Sequence, residues 1–156
     1  MRPAPRIQMT IEVEIQKASS SSTVPSDLKF RQWATAALHE FGDAELVVRI
    51  VDRDESQQLN ARFRSREAAT NVLSFPAELP KEVDVPLLGD VVICAPLVEQ
   101  EAREQNKLPE SHWAHLTIHG ILHLLGYDHQ TEEEAARMES LEISLLQSLD
   151  FRNPYN

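Results

Sequence analysis

At 156 residues the chain has the length of one domain, enough to bury about two-thirds of its unfolded surface around a single core. A formal net charge of -10 excludes an unspecific nucleic-acid coat, which draws on many Lys and Arg contacts to phosphate. The one cysteine, Cys94, lies in the apolar run Val91-Val92-Ile93-Cys94; it excludes an intramolecular disulfide and is expected to pack as a small buried hydrophobe in a reducing compartment.

The N-terminus leads into no apolar stretch of signal or membrane-spanning length, so a soluble, cytoplasmic protein without a membrane partner is expected; DNA is not expected as a partner either. Ile7 to Ile15 alternates apolar and polar positions, the period of a half-buried strand. The serine tract Ala18 to Thr23 is expected to be a flexible connection. A helix is predicted from about Pro25-Ser26-Asp27 to Glu40, ended by Gly42, with Phe30, Trp33, Ala34, Ala37, Leu38 and Phe41 facing inward. Glu45 to Val51 reads as the next strand and Asp54 to Phe63 as a helix, which leaves Arg62, Arg64 and Arg66 at its end and in the following loop.

Asn71 to Phe75 and Gly89 to Cys94 are short apolar runs bounded by proline or glycine and read as strands, with an acidic surface loop from Ala77 to Pro86 between them. Helices follow over about 96–106, 110–125 and 131–149; Thr131 and Glu134 form the capping-box pattern that opens the last. The order predicts a single α+β domain, with about four strands in a mixed sheet and about five helices against it. Leu116, Ile118, Ile121, Leu122, Leu124 and Leu125 leave the fourth of these helices apolar nearly all round, so it is expected to be central.

That helix carries the chemistry. Five of the six histidines lie between positions 112 and 129. His119 and His123, four apart, share one helical face about one turn from each other. A third ligand for the same ion requires the chain to turn back, and Gly126 supplies a helix-ending residue that brings His129 round. Three neutral imidazoles suit Zn2+ first, with Ni2+, copper or iron as alternatives, and leave a fourth position open, the mark of a catalytic site. The spacing is similar to the metzincin signature H-E-x-x-H-x-x-G-x-x-H, except that Gly120 stands where those peptidases carry their glutamate base. A zinc peptidase reading therefore keeps a zincin-like metal helix and loses its base.

Three blocks together, Thr70 to Pro76, Leu88 to Ile93 and His119 to His129, resemble the YbeY family of bacterial endoribonucleases over roughly residues 44–155, including the Asn153-Pro154-Tyr155 ending; residues 1–30 add little. The resemblance implies a single-strand-specific, metal-dependent endoribonuclease in maturation of ribosomal RNA, at the small-subunit 3′ end, and in ribosome quality control, with zinc on His119, His123 and His129. It also implies a functional arginine at Arg64, recruitment to the ribosome by a small-subunit ribosomal protein or an assembly GTPase, and single-stranded ribosomal RNA as substrate. Residues 1–66 carry ten Lys/Arg against nine Asp/Glu and residues 67–156 five against sixteen, so an anionic partner is expected to be met locally, around Arg62, Arg64 and Arg66.

Asp128 has three candidate roles: base, orienter of a histidine, or cap of the turn. His115 is assigned a structural or substrate-side role, and His112 and Trp113 packing or surface positions. Ser74 faces no evident base, which argues against a serine nucleophile. A ribosome-assembly factor with a structural metal is the non-enzymatic alternative.

Overall fold

The computed structural model describes residues 10–80, 82 and 86–156. The expected strand Ile7 to Ile15 lies partly outside them, as does the acidic loop Ala77 to Pro86. Four strands and five helices follow in the order β1 (Ile11–Lys17), α1 (Asp27–Leu38), β2 (Ala44–Val51), α2 (Arg53–Arg64), β3 (Val72–Pro76), β4 (Leu87–Cys94), α3 (Ala95–Glu104), α4 (Pro109–Leu124) and α5 (Glu132–Ser148). The sheet order is β1-β2-β4-β3, with β1, β2 and β4 parallel and β3 antiparallel to β4, so the domain is α+β with a mixed sheet.

Strand alternation splits the core between two faces. Leu46, Val48 and Ile50 of β2 and Val91 and Ile93 of β4 point to the side covered by α1, α4 and α5, where they meet Phe30, Trp33, Ile118, Ile121 and Met138. Val51, Leu73, Val92 and Cys94 point to the other side, against Leu59 of α2. Cys94 is free and buried there, and burial pushes its thiol above the usual range. The helices thus cover both faces of the one sheet.

Two expectations are corrected. Phe41 is exposed rather than inward, because α1 ends at Leu38 and the helical period no longer aims the side chain at the core. The serine tract is tied down: Ser19 and Ser20 donate to the Asp52 carboxylate at the end of β2, and Ser21 donates to Glu99 of α3. Short hydroxyl side chains that meet carboxylates from two elements hold the connection in place.

Helix α4 is buried on nearly every side and packs on β3, β4, α1, α3 and α5. Gly120 sets how closely it approaches the sheet: a Cβ there would lie 2.5 Å from Val91 Cγ1 and 3.2 Å from Val72 Cγ2. Among the described residues no helix is long and apolar enough to cross a membrane.

Candidate metal centre and cleft

The end of α4 is a complete Schellman motif. Gly126, in the left-handed region at φ +100, donates from its N–H to the His123 carbonyl at 3.0 Å, and Tyr127 N–H reaches the Leu122 carbonyl at 3.0 Å. This turn reverses the chain within the reach of one ion. His119, His123 and His129 offer ring nitrogens that all lie within 4.8 Å of one another, and the His129 ring stands 5.0 Å from His123 and 5.9 Å from His119, centroid to centroid.

Their hydrogens can be assigned from their neighbours. His123 Nδ1 lies 2.9 Å from the Tyr127 carbonyl, a group that only accepts, so Nδ1 carries the proton. His119 Nδ1 lies 3.2 and 3.3 Å from the two Glu142 carboxylate oxygens and carries its proton for the same reason. The two Nε2 atoms then face each other 3.1 Å apart as bare lone pairs. Such an arrangement is repulsive unless a shared cation or an extra proton lies between them, and the separation is close to the roughly 3.3 Å expected between ligands on a tetrahedral zinc. Burial, followed by the neighbouring His119 and His129, holds His123 below its ordinary pKa and favours the neutral, ligating form. The residues present therefore fit a transition-metal ion.

The trio opens into a cleft of about 750 Å³ between the end of α2, the 66–71 loop, β3 and the turn after α4. Arg64 and Arg66 line it, whereas Arg62 turns away and lies over the Phe63 ring, 5.1 Å from its centroid. The local arginine cluster expected from the sequence is thus reduced to two members at the cleft. Side chains of α2 strap the loop that carries Arg66: Gln57 donates to the Glu67 carbonyl, Asn60 to that of Ala68, and Ser56 to that of Thr70.

Arg64 is exposed and donates from Nη2 to the Ser74 carbonyl at 2.7 Å. In β3 the odd residues bond to β4, as Asn71 accepts from Cys94 and Ala77 donates to Leu88, so the Ser74 carbonyl points off the free edge of the sheet. The Ser74 hydroxyl points instead at α4 and donates to the Gly120 carbonyl at 2.8 Å, which accounts for it without any nucleophilic role. Asp128 lines the cleft and accepts from the His129 N–H at 2.8 Å, the geometry of a turn cap beside the third histidine.

His115 does not line the cleft. It is buried, with Nε2 3.1 Å from Glu142 Oε2. His112 is buried too, with Nε2 2.9 Å from Glu101, and Trp113 packs edge-on against Phe30. A second cavity, about 620 Å³, lies between α1 and α5 around Phe41 and Leu145 and holds none of the three histidines.

Sequence reasoning missed Glu142 and gave Tyr155 no role. Glu142 is completely buried on α5. Burial pushes its carboxyl up, but hydrogen bonds from His115, His119 and Tyr155 outweigh that and hold it at about 2. The available signal was its position four residues from both Met138 and Leu146, a carboxylate on an otherwise apolar, core-facing stripe.

A family model described as Endoribonuclease YbeY matches residues 11–150. The solution structure of TM1509 from Thermotoga maritima is similar, with 29% sequence identity and a TM-score of 0.57 over 87% of this chain and 91% of that one. The family match reaches back through α1 and β1, beyond the motif-bearing blocks.

Proposed function

The chain belongs to the YbeY endoribonuclease family, and from that premise we propose that it is a zinc-dependent, single-strand-specific endoribonuclease acting on ribosomal RNA. In this reading residues 1–156 form one catalytic domain that works in the cytoplasm, at the 3′ end of small-subunit ribosomal RNA and in ribosome quality control. His119, His123 and His129 hold the ion. The observation that carries the reading is the pair of bare Nε2 lone pairs 3.1 Å apart, with an arginine on the same cleft.

When bound, a transition-metal ion supplies Lewis acidity, polarising a phosphoryl oxygen and acidifying water without a carboxylate base. The protein does the rest by position. Ser74 takes one of the five Arg64 N–H donors, which anchors the guanidinium at the cleft and leaves the outer ones for phosphate oxygens. A planar, permanently charged fork placed there opposes the negative charge that grows on the phosphate during cleavage. Arg66 extends the basic wall along the strand's path. The attacking group is either water or the RNA 2′-hydroxyl, and a cyclic phosphate product identifies the latter.

A peptidase is disfavoured on two grounds. The position of its base is Gly120, pressed against Val91, and Arg64 occupies the edge carbonyl that an added peptide strand would use. The acidic balance of residues 67–156 suits a protein recruiter, a small-subunit ribosomal protein or an assembly GTPase, better than broad RNA binding.

The test is cleavage of a defined single-stranded RNA and its duplex by wild type and His123→Ala, with metal content measured on both. Cleavage of the single strand that stops with chelator and with His123→Ala supports the reading. Undiminished cleavage by a metal-free variant overturns it.

A further inference from the structure

Behind the histidine trio, Glu142 is the meeting point of three donors. His119 Nδ1 lies 3.2 Å from its Oε2, His115 Nε2 lies 3.1 Å from the same oxygen, and the Tyr155 hydroxyl donates to Oε1 at 2.6 Å. The two histidines come from α4, the carboxylate from α5 and the tyrosine from the chain that follows α5. A buried charge in a stripe otherwise filled by Met138 and Leu146 costs stability relative to an apolar side chain, so packing alone does not explain it.

We propose that Glu142 is a positioning residue for the metal centre and that Tyr155 is the clamp that holds it. The carboxylate fixes His119 in its Nδ1–H tautomer and sets the ring plane, which aims the Nε2 lone pair at the ion and raises the ligand's basicity. Tyr155 and His115 occupy the remaining acceptor directions of the carboxylate and stop it from rotating away. The tail beyond α5 is in this way part of the metal site, with its hydroxyl two hydrogen bonds behind a ligand, through Glu142.

The inference rests on the reading of the three histidines as a metal centre. His115, His119 and Glu142 also lie close enough to hold a cation themselves. That would require His119 to give up its Nδ1 proton while Nε2 faces the first site, and Oε1 is already taken by Tyr155.

The test is zinc affinity by chelator competition, zinc stoichiometry, and the visible spectrum of the cobalt-substituted protein, for wild type, Glu142→Gln and Tyr155→Phe. Each chain is also melted without metal to register folding. Glu142→Gln is expected to lose about 10- to 100-fold in zinc affinity and to shift the cobalt bands. Tyr155→Phe removes one oxygen from a residue 46% exposed, and is expected to lose about three- to tenfold in zinc affinity while still melting cooperatively without metal, at a somewhat lower temperature because the buried carboxylate loses a donor.

Wild-type affinity in both variants overturns the positioning role while leaving the metal centre standing. If Glu142→Gln does not fold, Tyr155→Phe decides by the same criterion. Two zinc ions per wild-type chain, falling to one in Glu142→Gln, overturn it in favour of a ligand role. A wild type that binds no zinc overturns both this inference and the metal-centre reading.

Discussion

The Ser74 hydroxyl donates to the Gly120 carbonyl at 2.8 Å, and this bond ties β3, the edge strand, directly to α4. Gly120, between His119 and His123, serves packing, since its missing Cβ is what admits Val91.

Gly120→Ala is therefore expected to destabilise the fold despite alanine's better helix propensity. Overpacking costs about 1–3 kcal/mol and the propensity gain returns about 1. Gly120→Glu, which would restore the peptidase spacing, is expected to cost more and to produce no peptidase. Urea denaturation checks this, with Val91→Ala as the partner: the double variant with Gly120→Ala should lose less than the sum of the two single losses. Strict additivity would show that the Val91 contact is not the cause.

Arg64→Ala is expected to lower RNA cleavage about 100- to 1000-fold, the cost of removing one donor to a developing charge. Metal content should stay at the wild-type level. Arg64→Lys should recover only a part, because an ammonium cannot hold the Ser74 carbonyl and present a fork to phosphate together. Metal loss in either variant would place Arg64 in the metal site rather than at the substrate.

Zinc at about 100 times its dissociation constant is expected to stabilise the protein by about 2.7 kcal/mol, roughly 5–10 °C in a chain of this size. Chelator should remove both that increment and the cleavage, and re-added zinc should return both. His123→Ala should show neither response. A zinc-induced rise in melting temperature that survives in His123→Ala would locate the ion elsewhere.

His112 gives a pH dependence remote from the cleft. Burial lowers its pKa below 6.5, against the opposing pull of Glu101, so the unfolded chain binds the proton more readily than the fold. Its contribution is fully present above about pH 6.5 and declines as pH falls toward the lower folded value, by no more than about 1.4 kcal/mol per pH unit. His123, lowered chiefly by burial as well, adds the same sign in metal-free protein. The melting temperature of chelated protein should fall between pH 7.5 and 5.5, and fall less in His112→Gln. Equal slopes in the two proteins would show that His112 titrates normally in the fold.

Elements governed by local rules were legible within a residue or two. The N-cap at Thr131 is where the capping box put it, with Glu134 N–H on its hydroxyl at 3.1 Å, and Gly126 ends α4 in the left-handed conformation the spacing required. Phe41 went astray because periodicity was extended past the last turn of α1. The charge pattern alone does not separate Arg62 from Arg64, and only the family resemblance singles out Arg64; in the fold they part at the end of α2, one lying on Phe63 and the other bonded to Ser74.

By itself the sequence determined the histidine spacing, the turn that brings the third one back, and the blocks that resemble an endoribonuclease family, because each depends on residues within about ten positions of one another. Only the tertiary structure decided what surrounds them. Glu142, 23 positions beyond His119, meets it because α5 packs back over α4; Tyr155 reaches that carboxylate from the tail; and Val91 fills the space that Gly120 leaves. These contacts follow from how elements stack, and a one-dimensional pattern records only that a carboxylate stands on an apolar stripe and a glycine inside a helix.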